Sequence, residues 1–128
     1  MDRKIIIIAG IMGVVAIVLG AFGAHALKKV LEPEMLITFE TGVRYQMYHA
    51  LFLFFVGMLP LITEKVKKTI LILVLTGILF FSVSIYFLSC NTLFSFDFKK
   101  IGFITPIGGL LLISAWIVLV LNLMKRKG

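Results

Sequence analysis

Charged residues and cysteine are scarce in this sequence, and both shortages limit what the chain can be. Only 15% of the 128 residues are charged, whereas 61% are hydrophobic and the mean hydropathy is +1.14. Soluble domains contain about 45–50% apolar residues, so this composition indicates a membrane protein. The single cysteine, Cys90, permits no internal disulfide and offers no metal-ligand spacing.

Motifs of soluble enzymes are absent as well. The sequence has no glycine-rich phosphate loop, no HExxH zinc motif and no GxSxG nucleophile motif. Its net charge of +7 comes from 13 basic residues, which lie in short clusters between apolar runs rather than along one polar face. We therefore expect no nucleic-acid binding and interpret the basic clusters as anchors against anionic lipid headgroups.

Four runs are long enough to cross a hydrocarbon core of about 30 Å, because a helix rises about 1.5 Å per residue. They cover about residues 5–24, 43–62, 69–89 and 105–124. The first run also resembles a signal peptide with a cleavage site near Ala24, but it is long for a signal core and we retain it as a span. The predicted fold class is an all-α, four-helix transmembrane bundle forming a single domain.

The connections between the spans carry their own signals. Residues 25–42 are predicted to form an amphipathic interfacial segment, with Pro33 in the first turn of a helix that continues to about residue 62. Residues 64–68 are predicted to be a charged turn and residues 90–100 an interfacial loop. Thr105 is predicted to cap the fourth helix, with Pro106 at its first helical position.

Basic residues are unequally divided between the two ends of the predicted bundle. Eight lie at the end that holds both termini and the middle loop: Arg3, Lys4, Lys65, Lys67, Lys68, Lys125, Arg126 and Lys127. Five lie at the other end: Lys28, Lys29, Arg44, Lys99 and Lys100. The positive-inside bias predicts a multi-pass protein of the cell (inner) membrane with both termini in the cytoplasm.

The second span carries polar groups that are costly inside a membrane unless they face protein or water. With a histidine at the end of the first span, they form a predicted polar or ligand-binding cluster at the outer leaflet: His25, Glu40, Arg44, Tyr45, Gln46, Tyr48 and His49. At helical spacing the opposite stripe is apolar and consists of Val43, Met47, Ala50 and Phe54. Because these side chains are costly to place inside a membrane, their presence indicates a functional site.

Three interpretations of this cluster remain open. In the first, the cluster ties helices together, and Arg44 with Lys28 or Lys29 holds a phospholipid headgroup. In the second, an oligomer of the chain forms a small transporter or channel along the polar path. In the third, His25 and His49 ligate a haem, which requires both rings at one depth, whereas His49 is predicted to lie about 9 Å deeper.

Small residues at three- and four-residue steps predict close helix packing. They are Gly13, Ala16, Gly20 and Gly23 in the first span and Gly108 and Gly109 in the fourth. The same faces predict a homo-oligomer. Overall we expect a non-enzymatic, structural or lipid-interacting protein of the cell envelope, in contact with the bilayer and a bound phospholipid, without cofactor or metal.

Three motifs resemble a known family, in the same order and spacing. They are LGAFGAHALKKVL at residues 19–31, FETGVRYQMYHAL at residues 39–51 and ITPIGGLLLISAW at residues 104–116. They are similar to small bacterial four-span inner-membrane proteins typified by YgdD and YwdK. The family's activity is not established, so the resemblance implies a fold and a topology but no reaction. The matching positions are Gly20, Phe22, Gly23, His25, Phe39, Thr41, Tyr45, Gln46, His49, Thr105, Pro106, Gly108, Gly109 and Trp116.

Overall fold

The protein, described here over residues 2–125 by a computed structural model, consists of long helices joined by short connections. The helices are α1 (Asp2–His25), α2 (Pro33–Met58), α3 (Glu64–Ile78), α4 (Ser84–Ser89) and α5 (Ile104–Lys125). A π-helical turn, Leu79–Val83, joins α3 to α4 without a break, so these pieces form one long helix, α3–α4. Short 3₁₀ turns occupy Leu27–Lys29, Asn91–Leu93 and Phe98–Ile101. The predicted all-α, four-helix architecture is confirmed.

Helices α1 and α2 run antiparallel along their whole length. Near one end, a Cβ added to Gly23 would lie 3.1 Å from the Phe39 ring, and near the other, one added to Gly57 would lie 2.9 Å from Ile6. These glycines let the two helices approach closely. Helix α2 then packs on α3–α4, where a Cβ at Gly42 would lie 2.8 Å from a Tyr86 ring carbon. Helix α2 is therefore flanked by α1 and α3–α4.

Helix α5 packs antiparallel on α3–α4. A Cβ at Gly77 would lie 2.6 Å from Leu112, and one at Gly108 would lie 2.8 Å from the Gly77 carbonyl oxygen and closer still to the backbone of the π-helical turn. The backbones of the two helices therefore touch at the turn. Among the other predicted packing residues, Ala16 is buried. A Cβ added to Gly20 would lie 3.6 Å from Val43, one added to Gly109 would lie 3.7 Å from the Phe81 ring, and one added to Gly13 would have no atom of residues 2–125 from outside its own helix within 4 Å.

Three helical stretches of the described chain are long and apolar enough to cross a membrane, namely Asp2–Lys29, Glu64–Ser89 and Ile104–Lys125. Helix α2 has 26 residues but is not among them, because its polar residues lower its hydropathy. Large apolar side chains such as Val14, Phe55 and Leu110 are more than 60% exposed on the outer surface. Exposed apolar faces of this kind suit contact with lipid.

Two predicted boundaries differ from the structure. Helix α2 ends at Met58, before the predicted residue 62, and Leu59 is extended because the following Pro60 disfavours a helical backbone at the residue before it. Residues 64–68, predicted to be a turn, form the start of α3, since the Thr63 side chain accepts a hydrogen bond from the Val66 N–H at 3.2 Å and caps the helix.

The start of α5 also differs. The helix begins at Ile104, so Thr105 lies inside its first turn and is not the cap. Its hydroxyl instead lies 2.6 Å from the Ser84 hydroxyl of α4. Within the predicted interfacial segment, residues 25–42, the last ten residues from Pro33 form the start of α2, with the proline in the first turn of the helix. At Thr105 a tertiary contact, absent from the local sequence pattern, takes the place of the predicted cap.

Candidate functional site

The buried face of α2 carries polar as well as apolar side chains. Gly42, Gln46, His49, Leu53 and Val56 follow one another on this face at three- and four-residue steps. Gln46 is 5% exposed and His49 is 4% exposed. A buried polar group in a membrane needs a hydrogen-bond partner, because no water is present to replace it. The partners of these two side chains define the site.

Gln46 joins three helices. Its amide Nε2 donates to the Met12 carbonyl oxygen of α1 at 2.9 Å, and its Oε1 accepts from the Tyr86 hydroxyl of α4 at 2.6 Å. The Met12 carbonyl oxygen already accepts a backbone hydrogen bond within α1, so it accepts the Gln46 amide with its second lone pair. This side chain therefore fixes the register of α1 and α4 against α2.

Two further contacts surround the π-helical turn. The buried Ser82 hydroxyl donates to the Gly42 carbonyl oxygen of α2 at 2.8 Å. Ser84 lies within hydrogen-bond distance of the Phe80 carbonyl and of Thr105 on α5. A π-turn rotates the following residues relative to an unbroken α-helix. Because the two serines are two positions apart on the helix, they lie on nearly opposite sides, one facing α2 and the other facing α5.

His49 connects α2 to α5 through Trp116. Its Nδ1 lies 2.7 Å from the Tyr45 carbonyl oxygen, and its Nε2 lies 3.1 Å from the Trp116 indole nitrogen. A carbonyl only accepts and an indole N–H only donates, so Nδ1 must be the protonated nitrogen and Nε2 the acceptor. The ring is a neutral imidazole with both nitrogens occupied.

A lateral groove opens between α2 and α5 beside the His49–Trp116 pair. It has a volume of about 690 Å³ and is lined by Tyr45, Tyr48, His49, Leu51, Phe52, Phe55, Val56, Leu59, Trp116 and Leu119. A smaller cavity of about 340 Å³ lies on the other side of the pair and shares Tyr45, His49 and Trp116 with the groove. The Phe52 and Trp116 rings, 4.0 Å apart between centroids, form part of the groove wall. We call the larger cavity the α2–α5 groove.

The structure does not bring the seven predicted cluster residues together. Gln46 and His49 point inward, whereas Arg44 is exposed and donates to the Thr41 hydroxyl at 3.1 Å. Glu40 forms no ion pair with Arg44 within residues 2–125. His25 is exposed at the end of α1. What ties α1 to α2 is therefore Gln46 and apolar packing, not the charged residues.

The position of the site along the bundle also differs from that of the predicted cluster, which was expected at the outer leaflet. Trp116 is 12 residues after Ile104 and 9 before Lys125 in α5. At about 1.5 Å per residue, it lies roughly 18 Å and 14 Å from the two ends of the helix. His49, its partner, therefore lies near the middle of the bundle.

A second buried polar site lies at the end of the bundle where the described chain begins. Lys67 is 3% exposed, and its Nζ donates to the Asp2 carboxylate at 2.9 Å and to the Gly57 carbonyl at 3.1 Å. A cation at the last turn of α2 and an anion at the first turn of α1 both suit the helix dipoles. Lys67 belongs to the stretch that was predicted to be a turn, although its three- and four-residue spacing from Ile70 and Leu71 is typical of the same helix face.

These features define an α-helical membrane protein with a hydrogen-bonded interior and a lateral groove. Residues 19–109 match the family described as "Protein of unknown function (DUF423)", and the chain belongs to this family.

Several relatives carry the name UPF0382 membrane protein. The relative from Staphylococcus epidermidis (strain ATCC 12228 / FDA PCI 1200) is 38% identical over 126 residues, which are 98% of this chain and 99% of the relative. YwdK of Bacillus subtilis is 38% identical over 96% of this chain and 98% of its own length, and the relative from Haemophilus influenzae is 35% identical over 99% and 98%. The resemblance to the family typified by YwdK is thereby confirmed. No solved structure matches the chain.

The hydrogen bond from Tyr86 to Gln46 is expected to stabilise the fold measurably. Tyr86→Phe removes the donor and should lower the free energy of unfolding by about 0.6–2 kcal/mol, the range found for interhelical hydrogen bonds in membranes. Tyr48→Phe is the matched control, because the Tyr48 hydroxyl forms no hydrogen bond within residues 2–125. Unfolding followed by circular dichroism in detergent measures both, and equal effects would contradict the assignment.

Proposed function

We propose that this protein is a non-enzymatic, four-span protein of the cell membrane that binds the apolar chain of a lipid in the α2–α5 groove. The observation that supports the proposal is the groove itself, with its volume of about 690 Å³ and its nearly continuous apolar and aromatic lining. Ligand sites of several hundred Å³ with few polar groups are typical of small apolar ligands.

The groove runs along α2 for a length that suits an acyl or isoprenoid chain. Its lining extends from Tyr45 to Leu59, which is about 21 Å along the helix axis at 1.5 Å per residue. One leaflet of the hydrocarbon core is about 15 Å thick. The groove is therefore longer than one leaflet is thick, and it would hold the full length of a lipid chain that enters from that leaflet.

The four-span arrangement is supported by the packing of α2 on α1. Their contacts at Gly23 and Phe39, at Met12 and Gln46, and at Gly57 and Ile6 extend over nearly all of α1. If α1 crosses the bilayer, α2 crosses beside it, and its polar interior groups are satisfied by protein as a bilayer requires. The hydropathy of α2 alone is too low to indicate this.

Clustered basic residues support a cytoplasmic location for both termini. Asp2 contacts Lys67 at the start of α3, and Lys125 lines a small cavity with Ile62 and Thr63, so both ends of the described chain lie at one end of the bundle. Exposed basic side chains at this end are Arg3, Lys4, Lys65, Lys68 and Lys125. The positive-inside bias favours the cytoplasm for this end.

Labelling with a membrane-impermeant maleimide tests this topology. In a Cys90→Ser background, Thr92→Cys should react in right-side-out vesicles, whereas Lys65→Cys should react only after the vesicles are permeabilised. Both introduced positions are exposed in the fold, so reactivity reports the side of the membrane. The opposite pattern would contradict the proposed orientation.

Occupation of the groove can be followed through Trp116, which is the one tryptophan in the sequence and lines the groove. A phospholipid brominated on its acyl chains should quench the tryptophan fluorescence of the detergent-solubilised protein in a saturable manner, near one equivalent. Leu119→Phe, which adds volume inside the groove, should reduce the quenching. Leu121→Phe is the control, because Leu121 is exposed on α5 and does not line the groove. Quenching that rises linearly with lipid in both variants would mean bulk contact only and would contradict the proposal.

A further inference from the structure

The lining of the α2–α5 groove lacks charged side chains, and this limits the class of lipid that would bind there. None of its ten lining residues is an acid, a lysine or an arginine, and six of them have rings: Tyr45, Tyr48, His49, Phe52, Phe55 and Trp116. The nearby Arg44 is exposed, hydrogen-bonds to Thr41 and does not line the groove. A phosphate headgroup needs cations or many donors. The lining therefore disfavours a charged headgroup inside the groove.

Two hydroxyl groups at the groove lack hydrogen-bond partners among residues 2–125. Tyr45 and Tyr48 are 40% and 52% exposed, their rings are 5.6 Å apart between centroids, and neither hydroxyl forms a hydrogen bond within residues 2–125. They lie on the same stretch of α2 as His49, near the middle of the bundle. A hydroxyl left without a partner in hydrocarbon is energetically unfavourable. A bound molecule with hydrogen-bond acceptors would satisfy both.

The other polar groups of the groove are already occupied. His49 uses both ring nitrogens, one with the Tyr45 carbonyl and one with the Trp116 N–H. The two tyrosine hydroxyls can therefore donate hydrogen bonds to a ligand without breaking any hydrogen bond within the groove. A matching ligand accepts hydrogen bonds, carries no charge and presents a flat face to aromatic rings.

We propose that the occupant of the α2–α5 groove is an isoprenoid quinone, bound with its ring carbonyls near the Tyr45 and Tyr48 hydroxyls and its tail along Phe55 and Leu59. This inference rests on the proposed lipid-binding function and names the class of lipid. It concerns binding alone. The quinone ring supplies flat aromatic contact and two carbonyl acceptors, and the tail fills the apolar length of the groove.

A benzoquinone carrying a decyl chain is a suitable probe, because quinones in contact with an indole quench its fluorescence. Titration into the full-length protein in detergent should quench Trp116 in a saturable manner. The double variant Tyr45→Phe/Tyr48→Phe should weaken the apparent binding constant roughly tenfold, as expected for two lost neutral hydrogen bonds. Tyr86→Phe is the control, since the Tyr86 hydroxyl is paired with Gln46 outside the groove. Circular dichroism verifies that each variant is folded.

Several outcomes overturn the inference. Quenching no stronger than that of a tryptophan octyl ester in the same micelles would show collision only. If the double variant bound the quinone as tightly as the unmodified protein does, the two hydroxyls would have no role in binding. Displacement of the quinone by equimolar phosphatidylglycerol or diacylglycerol would assign the groove to another lipid class. In that last case the brominated-lipid experiment still succeeds, so the proposed lipid-binding function stands while the quinone assignment fails.

Discussion

The hydrogen bonds of the Gln46 side chain are the constraint on which the rest of the structure depends. An amide in the centre of a bilayer must find partners inside the protein, because lipid offers none. Gln46 finds the Met12 carbonyl on α1 and the Tyr86 hydroxyl on α4, each less than 3 Å away. Satisfying both at once allows one register among the three helices. The glycines that let these helices approach, such as Gly42, follow from the same requirement.

Helix α5 is held differently, and the groove is the consequence. Its backbone packs on α3–α4 at Gly108, whereas its link to α2 is the longer bridge from Trp116 to His49. Large aromatic side chains hold α2 and α5 apart on this side, and the space beside them is the groove. At the end of the bundle, Lys67 joins three helix termini. Rigid packing on one side of α2 thus coexists with an accessible cavity on the other.

Composition and apolar runs were sufficient to predict the helices, since each run is long and bounded by charge, proline or glycine. They also drew attention to Gln46 and His49, whose cost in a membrane is visible in sequence. The partners were not predictable, because Met12 contributes a backbone carbonyl and Trp116 lies 67 positions from His49. Helical periodicity predicted that one half of α2 is polar, but it did not predict which of those polar residues face other helices. Local cap signals at Thr105 failed because a tertiary hydroxyl contact took precedence.

Solid-state NMR on protein reconstituted in bilayers tests the central constraint most directly. With ¹⁵N on the Gln46 side-chain amide and ¹³C on the Met12 carbonyl, a dipolar recoupling measurement reports the separation of the two groups. The amide nitrogen lies 2.9 Å from the carbonyl oxygen in the structure, so strong dephasing is predicted. Absence of dephasing, with rapid hydrogen exchange of the Gln46 amide, would show that the side chain faces water or lipid and would contradict the account.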